Sequence, residues 1–257
     1  MSATSPPVYV IVGASGGIGS ELCRRLAAQG PCRLVLAARD ESRLQALAAE
    51  LQRAHLESPD LARVCPLDAT NPARVDAIFA EATAAFGRID GVVNLCGSIL
   101  LKPAHLTTDQ EFADTIAANL TTAFVVLRAA VRSMMTTGGS VVLVSTVAAR
   151  VGLANHEAIA AAKAGVSGLA LSAAATYAPR GIRVNVVAPG LVRTPLAARI
   201  TGNEASLKAS TAMHPLGRIG EPGDVASAIA WLLDPANNWV TGQILGVDGG
   251  LSTVRGR

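Results

Sequence analysis

The chain has 257 residues, of which 50% are hydrophobic and 16% are charged, and its formal net charge at pH 7 is +3. Because half of the residues are available for a buried core, this composition excludes a disordered chain. The lysine and arginine residues are spread along the sequence without a cluster, which argues against a nucleic-acid-binding protein.

The first predicted strand, Val8–Val12, runs into a glycine-rich turn and then into a predicted helix over residues 18–28. The turn carries Gly13, Gly17 and Gly19, and such a spacing between a strand and a helix is typical of dinucleotide sites. Gly13 permits the tight turn, Gly17 lets the backbone approach a pyrophosphate, and Gly19 lets the helix pack on the strand. The helix N-terminus would present free N–H groups to the phosphates. An ordinary glycine-rich turn is the alternative interpretation.

The rest of the chain alternates apolar strands with helices. The predicted strands cover residues 33–38, 61–67, 91–97, 140–145, 182–187 and 243–247. The predicted helices cover residues 41–55, 72–86, 107–135, 155–178 and 222–233, whereas residues 191–220 show weak periodicity. Since most strands are continuous apolar runs, the pattern predicts an α/β protein with a Rossmann-type, doubly wound, seven-stranded parallel sheet.

In such a sheet the ligand lies beyond the carboxyl ends of the strands. The candidates for chemistry are therefore residues 13–19, Arg39 and Asp40, Asp68, residues 94–97, Ser145 and Thr146, and residues 189–194. No internal repeat or linker divides the chain, so we expect a single domain.

Several of these residues stand in the order found in a known family. Gly13, Gly17 and Gly19, then Asp68, the run from Asn94 to Gly97, Asn119, Lys163, Pro189-Gly190 and Thr194 resemble the short-chain dehydrogenase/reductase family across essentially the whole chain. Residues 214–225 and 241–250 are similar to the 3-oxoacyl-carrier-protein reductase type. The resemblance implies one domain over residues 1–257, with a dinucleotide-binding half at about 8–97, an active-site half at about 98–257 and a lid at about 191–220.

The resemblance also implies a set of cofactor-binding residues. The set is Gly13, Ser15, Gly17, Ile18, Gly19, Arg39, Asp68, Asn94, Gly97, Lys163, Pro189, Gly190 and Thr194. Asp68 would hold the adenine through its carboxylate, and Asn94 would support the sheet beside the cofactor. From the residues alone, Asp68 is also consistent with a helix N-cap, and Asn94 with a turn at the end of a strand.

Three further roles follow from the resemblance. Lys163 would bond to the hydroxyl groups of the nicotinamide ribose. Thr194 and the Pro189-Gly190 pair would contact the carboxamide. Asn119 would hold a water molecule in a proton relay.

The end of the second strand favours NADP(H) over NAD(H). An NAD site usually carries an acidic residue there for the ribose 2′-hydroxyl, and this strand instead ends in Ala38 followed by Arg39. A guanidinium pairs with a 2′-phosphate in a fork, whereas a carboxylate would repel it. Asp40 is the counter-argument, although an acidic residue here is also typical of a helix start.

The chain departs from the family at the catalytic signature, which is Tyr-x-x-x-Lys with a serine thirteen residues before the tyrosine. Counting back four residues from Lys163 reaches Ile159, and thirteen residues earlier stands Thr146. Isoleucine cannot donate a proton to a carbonyl oxygen. The chain has two tyrosines, and we expect neither Tyr9 nor Tyr177 to be placed to substitute.

His156 is the candidate for a replacement proton donor. A separation of three residues from Ile159 would place it one helical turn away, on nearly the same face. Its spacing to Lys163 also resembles the Tyr-to-Lys spacing of enoyl reductases. A partly exposed histidine at a helix start is the alternative. Thr146, or Ser145 beside it, would orient an acceptor oxygen or only close off the strand end.

With Asn119, Thr146, His156 and Lys163 as catalytic candidates, three functions fit the chain. The first is an NADPH-dependent reductase of quinones, enones or imines, which do not need the missing phenol. The second is a carbonyl reductase that uses His156 or water as its proton donor. The third is an NADP(H)-binding protein with little turnover. We favour the first.

The remaining expectations concern ligands, assembly and location. The four cysteines have no paired spacing, which argues against a metal site and against disulfides, and favours a reducing compartment. No signal peptide is visible, so we expect a cytoplasmic protein, or an organelle one if a transit peptide has been removed. The apolar lid residues Leu196, Ile200, Leu207, Met213 and Leu216 favour an apolar or aromatic small-molecule substrate. The resemblance implies a homodimer or homotetramer that pairs through the two long helices and the last strand, with no membrane span.

Overall fold

All seven predicted strands are present in the computed structural model, which describes residues 5–55 and 61–255. They are β1 (Val8–Val12), β2 (Arg33–Ala38), β3 (Ala62–Pro66), β4 (Gly91–Asn94), β5 (Gly139–Val144), β6 (Ile182–Pro189) and β7 (Ile244–Val247). Every pairing is parallel, and the spatial order is β3-β2-β1-β4-β5-β6-β7. The predicted single-domain Rossmann-type sheet is confirmed, although the ends of the predicted range, 1–4 and 256–257, lie outside the described residues.

Helices connect the strands and lie on both faces of the sheet. They are α1 (Gly17–Gln29), α2 (Glu41–Ala54), α3 (Pro72–Phe86), α4 (Asp109–Ile116), α5 (Thr122–Met134), α6 (Glu157–Tyr177), α7 (Ala198–Thr201), α8 (Glu204–Met213) and α9 (Pro222–Leu233). Polar side chains fix several starts. Asp40 caps α2, Asn71 caps α3, and Thr108 with Glu111 forms a capping box at α4.

Two hydrophobic clusters cover the two faces of the sheet. Helices α3, α5 and α6 bury their apolar sides on one face, and α1, α2 and α9 bury theirs on the other. Every residue of β1 and β6 is buried. The continuous apolar runs of the sequence form strands because both of their faces are covered.

The structure differs from the predicted elements in two places that matter for the site. The predicted helix 107–135 is interrupted by a π-helical turn, Ala117–Thr121, between α4 and α5. The weakly periodic stretch 191–220 contains two short helices, α7 and α8. Neither the π-helical turn nor the two short helices alter the spacing of apolar residues much, so hydrophobic periodicity alone does not predict them.

Two helical segments, Asp109–Met134 and Glu157–Arg180, are long and apolar enough to cross a membrane by length and composition alone. In the structure both segments pack on one face of the sheet, in the hydrophobic cluster to which α3 also contributes. Core helices of a domain pass the same test, so we interpret these two as core helices.

Candidate active site

The carboxyl ends of the strands open onto two adjoining cavities. The outer cavity, of ≈ 720 Å³, lies over the ends of β1, β2 and β3. The inner cavity, of ≈ 200 Å³, lies over the ends of β1, β4, β5 and β6. Gly13, Gly17, Gly97, Ser98 and Leu196 line both cavities, so they are two parts of one cleft.

The glycine-rich turn forms the floor of this cleft. Gly13 has a φ of 90°, a conformation that residues with a Cβ rarely adopt. A Cβ on Gly19 would overlap the carbonyl oxygen of Gly13, so the helix could not approach the turn as it does. Helix α1 begins at Gly17 without a side-chain cap, which leaves its first N–H groups free for an anionic ligand. Ser15 lines the outer cavity and Ile18 the inner one.

Positive charge lies at the mouth of the outer cavity. Arg39, which follows β2, and Arg43, in the first turn of α2, both line it. Asp40 stands between them in the sequence, and its carboxylate accepts a hydrogen bond of 3.0 Å from the backbone N–H of Arg43. Asp40 is therefore the N-cap of α2, which is the helix-start role weighed from the sequence.

Asp68 lies on the wall of the outer cavity, where one carboxylate oxygen is used within its own turn. Its Oδ1 accepts hydrogen bonds from the backbone N–H and the hydroxyl of Thr70, at 2.9 and 2.7 Å. These bonds, together with the charge of Arg39, lower the pKa of Asp68, so the side chain is an anion. The N-cap of α3 is Asn71 rather than Asp68, so the N-cap interpretation of Asp68 is wrong.

Asn94 is buried at the end of β4 and, within the described chain, is not part of either cavity wall. Its Oδ1 accepts a hydrogen bond of 3.2 Å from the backbone N–H of Cys96. This bond holds the turn that carries Cys96, Gly97 and Ser98 along the wall. A Cβ on Gly97 would lie 2.7 Å from Oδ1 of Asn119, so only glycine fits at this position of the turn.

Lys163 is the cationic side chain of the inner cavity. It is 7% exposed, and its Nζ donates a hydrogen bond of 2.9 Å to the carbonyl oxygen of Val144. Burial lowers the pKa of Lys163 to about 8, because the charged form loses its hydration. An ammonium group has three donors, so two N–H groups of Lys163 remain for a ligand.

The π-helical turn brings Asn119 to the inner cavity, where its amide is engaged by the neighbouring backbone and Ser98. Its Oδ1 accepts from the backbone N–H of Ser98 at 3.2 Å. Its Nδ2 donates to Oγ of Ser98 at 3.0 Å and to the carbonyl oxygen of Thr115 at 2.9 Å. Both amide hydrogens are therefore used, and Ser98 presents the hydroxyl that remains open to the cleft.

Two neighbouring hydroxyls at the end of β5 have different surroundings. Oγ of Ser145 donates to the carbonyl oxygen of Lys163 at 2.9 Å and accepts from Oγ of Ser167 at 3.3 Å, and the side chain is buried. Oγ1 of Thr146 only accepts, from the backbone N–H of Ala148 at 3.4 Å. Both residues line the inner cavity, but the hydrogen of Ser145 is used to connect β5 to α6, whereas that of Thr146 is free to bond to a ligand.

Ile159 lines the inner cavity one helical turn before Lys163, on the same side of α6. Both tyrosines of the chain lie elsewhere. Tyr9 is buried in β1, beside a cavity at the opposite edge of the sheet, and Tyr177 is the last residue of α6, packed against the core. The wall of the inner cavity therefore has a hydrocarbon at this position and no phenol.

His156 lies outside both cavity walls of the described chain. It is the N-cap residue of α6, which begins at Glu157, and its Nδ1 lies 2.7 Å from the carbonyl oxygen of Ala154. Because His156 precedes the first helical residue, its side chain does not follow the i, i+3 geometry that would stack it on Ile159. The structure thus favours the helix-start interpretation of this histidine.

The segment after β6 closes over the glycine-rich turn. Pro189, Gly190 and Thr194 line the inner cavity. A Cβ on Gly17 would lie 3.0 Å from Cγ2 of Thr194, so the two segments are in close contact. Of the five apolar lid residues named from the sequence, only Leu196 lines the cleft in the described structure. The others lie on α7, on α8 or in the loop that follows α8.

Sequence reasoning assigned no role to several residues of the cleft, among them Arg43, Ser98 and Cys96, although Cys96 lies within the candidate run 94–97. Arg43 places a second guanidinium group at the mouth of the outer cavity. Its position in the sequence, one helical turn after Asp40, could have indicated this. Ser98 follows Gly97 at the carboxyl end of β4, where the sheet topology already pointed. Cys96 lines both cavities, and burial raises the pKa of its thiol to about 11.

Comparison with known proteins gives one consistent result. The family described as Enoyl-(Acyl carrier protein) reductase matches residues 13–252. Cis-4-hydroxycyclohexanecarboxylate dehydrogenase of Sinomonas cyclohexanicum is 38% identical over 250 residues, 96% of this chain and 97% of that protein. The 3-oxoacyl-(acyl-carrier-protein) reductase FabG of Vibrio cholerae serotype O1 is 34% identical over 248 residues, 96% of this chain and 98% of that protein.

Solved structures agree with these relatives. A short-chain type dehydrogenase/reductase from Mycobacterium ulcerans superposes with a TM-score of 0.92 at 31% identity, covering 98% of this chain and 92% of that one. A variant of actinorhodin polyketide ketoreductase, determined with NADPH, superposes with a TM-score of 0.88 at 30% identity, covering 97% and 98%.

Proposed function

The chain belongs to the short-chain dehydrogenase/reductase family of oxidoreductases, and from this premise we propose that it is an NADP(H)-dependent reductase of conjugated acceptors. Quinones, enones and imines are acceptors of this kind. One observation carries the proposal: the inner cavity has Ile159 where the family resemblance expects the phenol that protonates a carbonyl oxygen.

An acceptor whose reduction does not need a strong acid is compatible with a cavity wall that carries Ile159 in place of a phenol. In a quinone or an enone, conjugation spreads the charge that hydride transfer creates, and an imine takes up its proton before the transfer. A positioned general acid contributes about 10²–10⁴ in rate, so we expect reduction of a saturated ketone to be slower by a factor of this order. The apolar side chains of Ile99, Ile159 and Leu196 favour an apolar or aromatic substrate.

The glycines of the cleft leave space that suits a nicotinamide nucleotide. Gly17 leaves room between helix α1 and Thr194, and Gly97 leaves room beside Lys163, which a Cβ would approach to 3.4 Å. The free N–H groups at the start of α1 suit a pyrophosphate, and Asp68 has a second carboxylate oxygen for the adenine. A bound nicotinamide nucleotide would supply the hydride.

The chain's own side chains would bind the cofactor, orient the acceptor and hold protons. Lys163 bonds to the ribose hydroxyls through its free N–H groups. Thr146 donates its hydroxyl hydrogen to the acceptor's oxygen or nitrogen and so orients it. Asn119 fixes Ser98 and, as the resemblance implies, would hold a water molecule in a proton relay. Pro189, Gly190 and Thr194 hold the carboxamide.

NADP(H) is proposed over NAD(H) because of the charge at the outer mouth. Arg39 after β2 and Arg43 in the first turn of α2 offer two guanidinium groups, and the carboxylate of Asp40 caps α2 and lies 3.6 Å from Nε of Arg43. The ketoreductase with NADPH among the similar structures supports the same choice.

The proposal is tested by following the oxidation of NADPH with matched acceptors. We expect turnover of quinones, enones or imines to exceed that of a saturated ketone of similar size by about a hundredfold or more. Equal rates on the ketone would instead indicate a carbonyl reductase that uses water or His156. Tight binding of NADPH without turnover of any acceptor would indicate an NADP(H)-binding protein, and would contradict the proposal.

We further propose that the protein forms a homodimer or homotetramer in the cytoplasm. Phe112, Phe124 and Leu171 are 46%, 49% and 48% exposed on α4, α5 and α6, the helices through which the resemblance implies pairing. A Cβ on Gly165 would meet Leu120 at 2.9 Å, so this glycine serves packing within the chain. A Cβ on Gly168 would meet nothing within 4 Å, so its outer side is open to a partner.

A further inference from the structure

A buried histidine connects the lid to the turn after β6. His214 follows α8 and is 3% exposed. Its Nδ1 lies 2.6 Å from the carbonyl oxygen of Ser210, and its Nε2 lies 3.3 Å from the backbone nitrogen of Leu191. A carbonyl oxygen can only accept and a backbone N–H can only donate. The ring is therefore neutral, with its hydrogen on Nδ1.

The same ring fills the space behind the inner cavity. A Cβ on Gly190 would lie 2.5 Å from Nε2 of His214, and a Cβ on Gly249 would lie 3.5 Å from Cβ of His214. Three segments thus meet on this side chain: the turn 189–191, the end of α8 and the loop after β7. Gly190 and Leu191 form part of the inner cavity wall, and His214 supports them from outside it.

We propose that His214 is a positioning residue whose neutral ring holds the turn 189–191 in the conformation that cofactor binding needs. This inference rests on the proposed function, because it takes the inner cavity as the place of the nicotinamide. Without Nε2, the backbone N–H of Leu191 would lose the acceptor that His214 provides, and the turn would no longer be held to the end of α8.

The charged groups on the far side of the ring have partners of their own. Arg218, Asp224 and Asp248 line the cavity of ≈ 320 Å³ that His214 also borders. Asp224 accepts two hydrogen bonds from Arg218, of 2.6 and 2.9 Å, and these lower the pKa of Asp224 to about 2. The carboxylate of Asp248 accepts from the backbone N–H groups of Gly250 and Ser252. The bond from the N–H of Leu191 is therefore the contact through which His214 holds the turn.

Two variants separate the hydrogen bonds of His214 from its bulk. His214→Gln keeps one donor and one acceptor about as far apart as the ring nitrogens, whereas His214→Leu keeps only the volume. We expect His214→Leu to weaken NADPH binding roughly tenfold in a fluorescence titration, because a buried N–H loses its acceptor, and His214→Gln to stay within about threefold of the wild type.

Independent readouts keep the test decisive. Thermal unfolding of the proteins without cofactor should show a larger loss for His214→Leu than for His214→Gln, and only His214→Leu should lose affinity at a temperature where both variants are folded. Nitrogen-15 NMR of the cofactor-free protein should show Nε2 of His214 without a hydrogen. Equal affinity of the two variants, or a hydrogen on Nε2 of His214, would each overturn the inference. If the wild type binds neither NADPH nor NADH, the proposed function itself fails.

Discussion

Replacing Ile159 with tyrosine should restore the proton donor that the inner cavity lacks. Ile159 is 6% exposed and lines the cavity together with Thr146 and Lys163, the three positions of the family's signature. The inner cavity of ≈ 200 Å³ in front of it gives space for the larger ring. The ammonium group of Lys163, one turn along α6, would lower the pKa of the new phenol.

The size of the effect follows from what a general acid contributes. A positioned acid is worth about 10²–10⁴ in rate, which corresponds to roughly 3–5 kcal/mol of activation free energy at about 1.4 kcal/mol per tenfold. The Ile159→Tyr variant should therefore raise kcat/KM for a saturated ketone by about a hundredfold or more. Reduction of a quinone or an enone should change little, since it does not depend on that proton.

The assay is the rate of NADPH oxidation with a ketone and an enone of matched size. Ile159→Phe is the control, because it adds the same ring without the hydroxyl. Ketone reduction by Ile159→Tyr that is no faster than by Ile159→Phe would refute the reasoning, and would show that the helix register or the position of the acceptor differs from the one described.

Four further predictions concern other parts of the molecule. Arg39→Ala should raise the Kd of NADPH by roughly ten- to a hundredfold, since a charge-assisted bond is lost, and leave that of NADH nearly unchanged; an equal loss in a fluorescence titration of both would contradict the 2′-phosphate contact. Because burial lowers the pKa of Lys163 to about 8, its proton is lost as the pH rises through that value. Thus kcat/KM should fall about tenfold per pH unit above it, and a flat profile would count against a protonated lysine. His156→Ala should keep the steady-state turnover of the wild type, whereas a large loss would revive this histidine as the donor. Gly19→Ala should lower the unfolding temperature by several degrees, because its Cβ meets the carbonyl of Gly13, while the control Gly152→Ala, whose Cβ meets no heavy atom within 4 Å, should not.

The fold was predictable from the sequence because its signals are local. Runs such as Val8–Val12 and Val-rich β6 are apolar throughout, and in a parallel sheet that is what burial on both faces requires. Asp40 and Asn71 stand where the helices start, so the chain itself marks these boundaries. The π-helical turn at Ala117–Thr121 has no such mark, since it depends on packing between α4 and α6.

The site was only partly predictable, because side-chain direction depends on tertiary contacts. Ser145 and Thr146 carry adjacent hydroxyls that both line the inner cavity, and only the packing of α6 decides that the hydrogen of Ser145 is used internally while that of Thr146 is free. His156 has the right spacing to Lys163, but the helix starts after it. His214 contacts the turn 189–191 across more than twenty residues of chain, a relation that no short-range pattern encodes.

The most direct test of the central claim is the transfer of deuterium from NADPH labelled at C4 to an enone. Both C4 epimers are offered to the enzyme, and the product is analysed by mass spectrometry and NMR. The account predicts one deuterium on the carbon that receives hydride, from one epimer only, with the wild-type Ile159 in place. Binding of the labelled nucleotide without transfer to any enone or imine would contradict it.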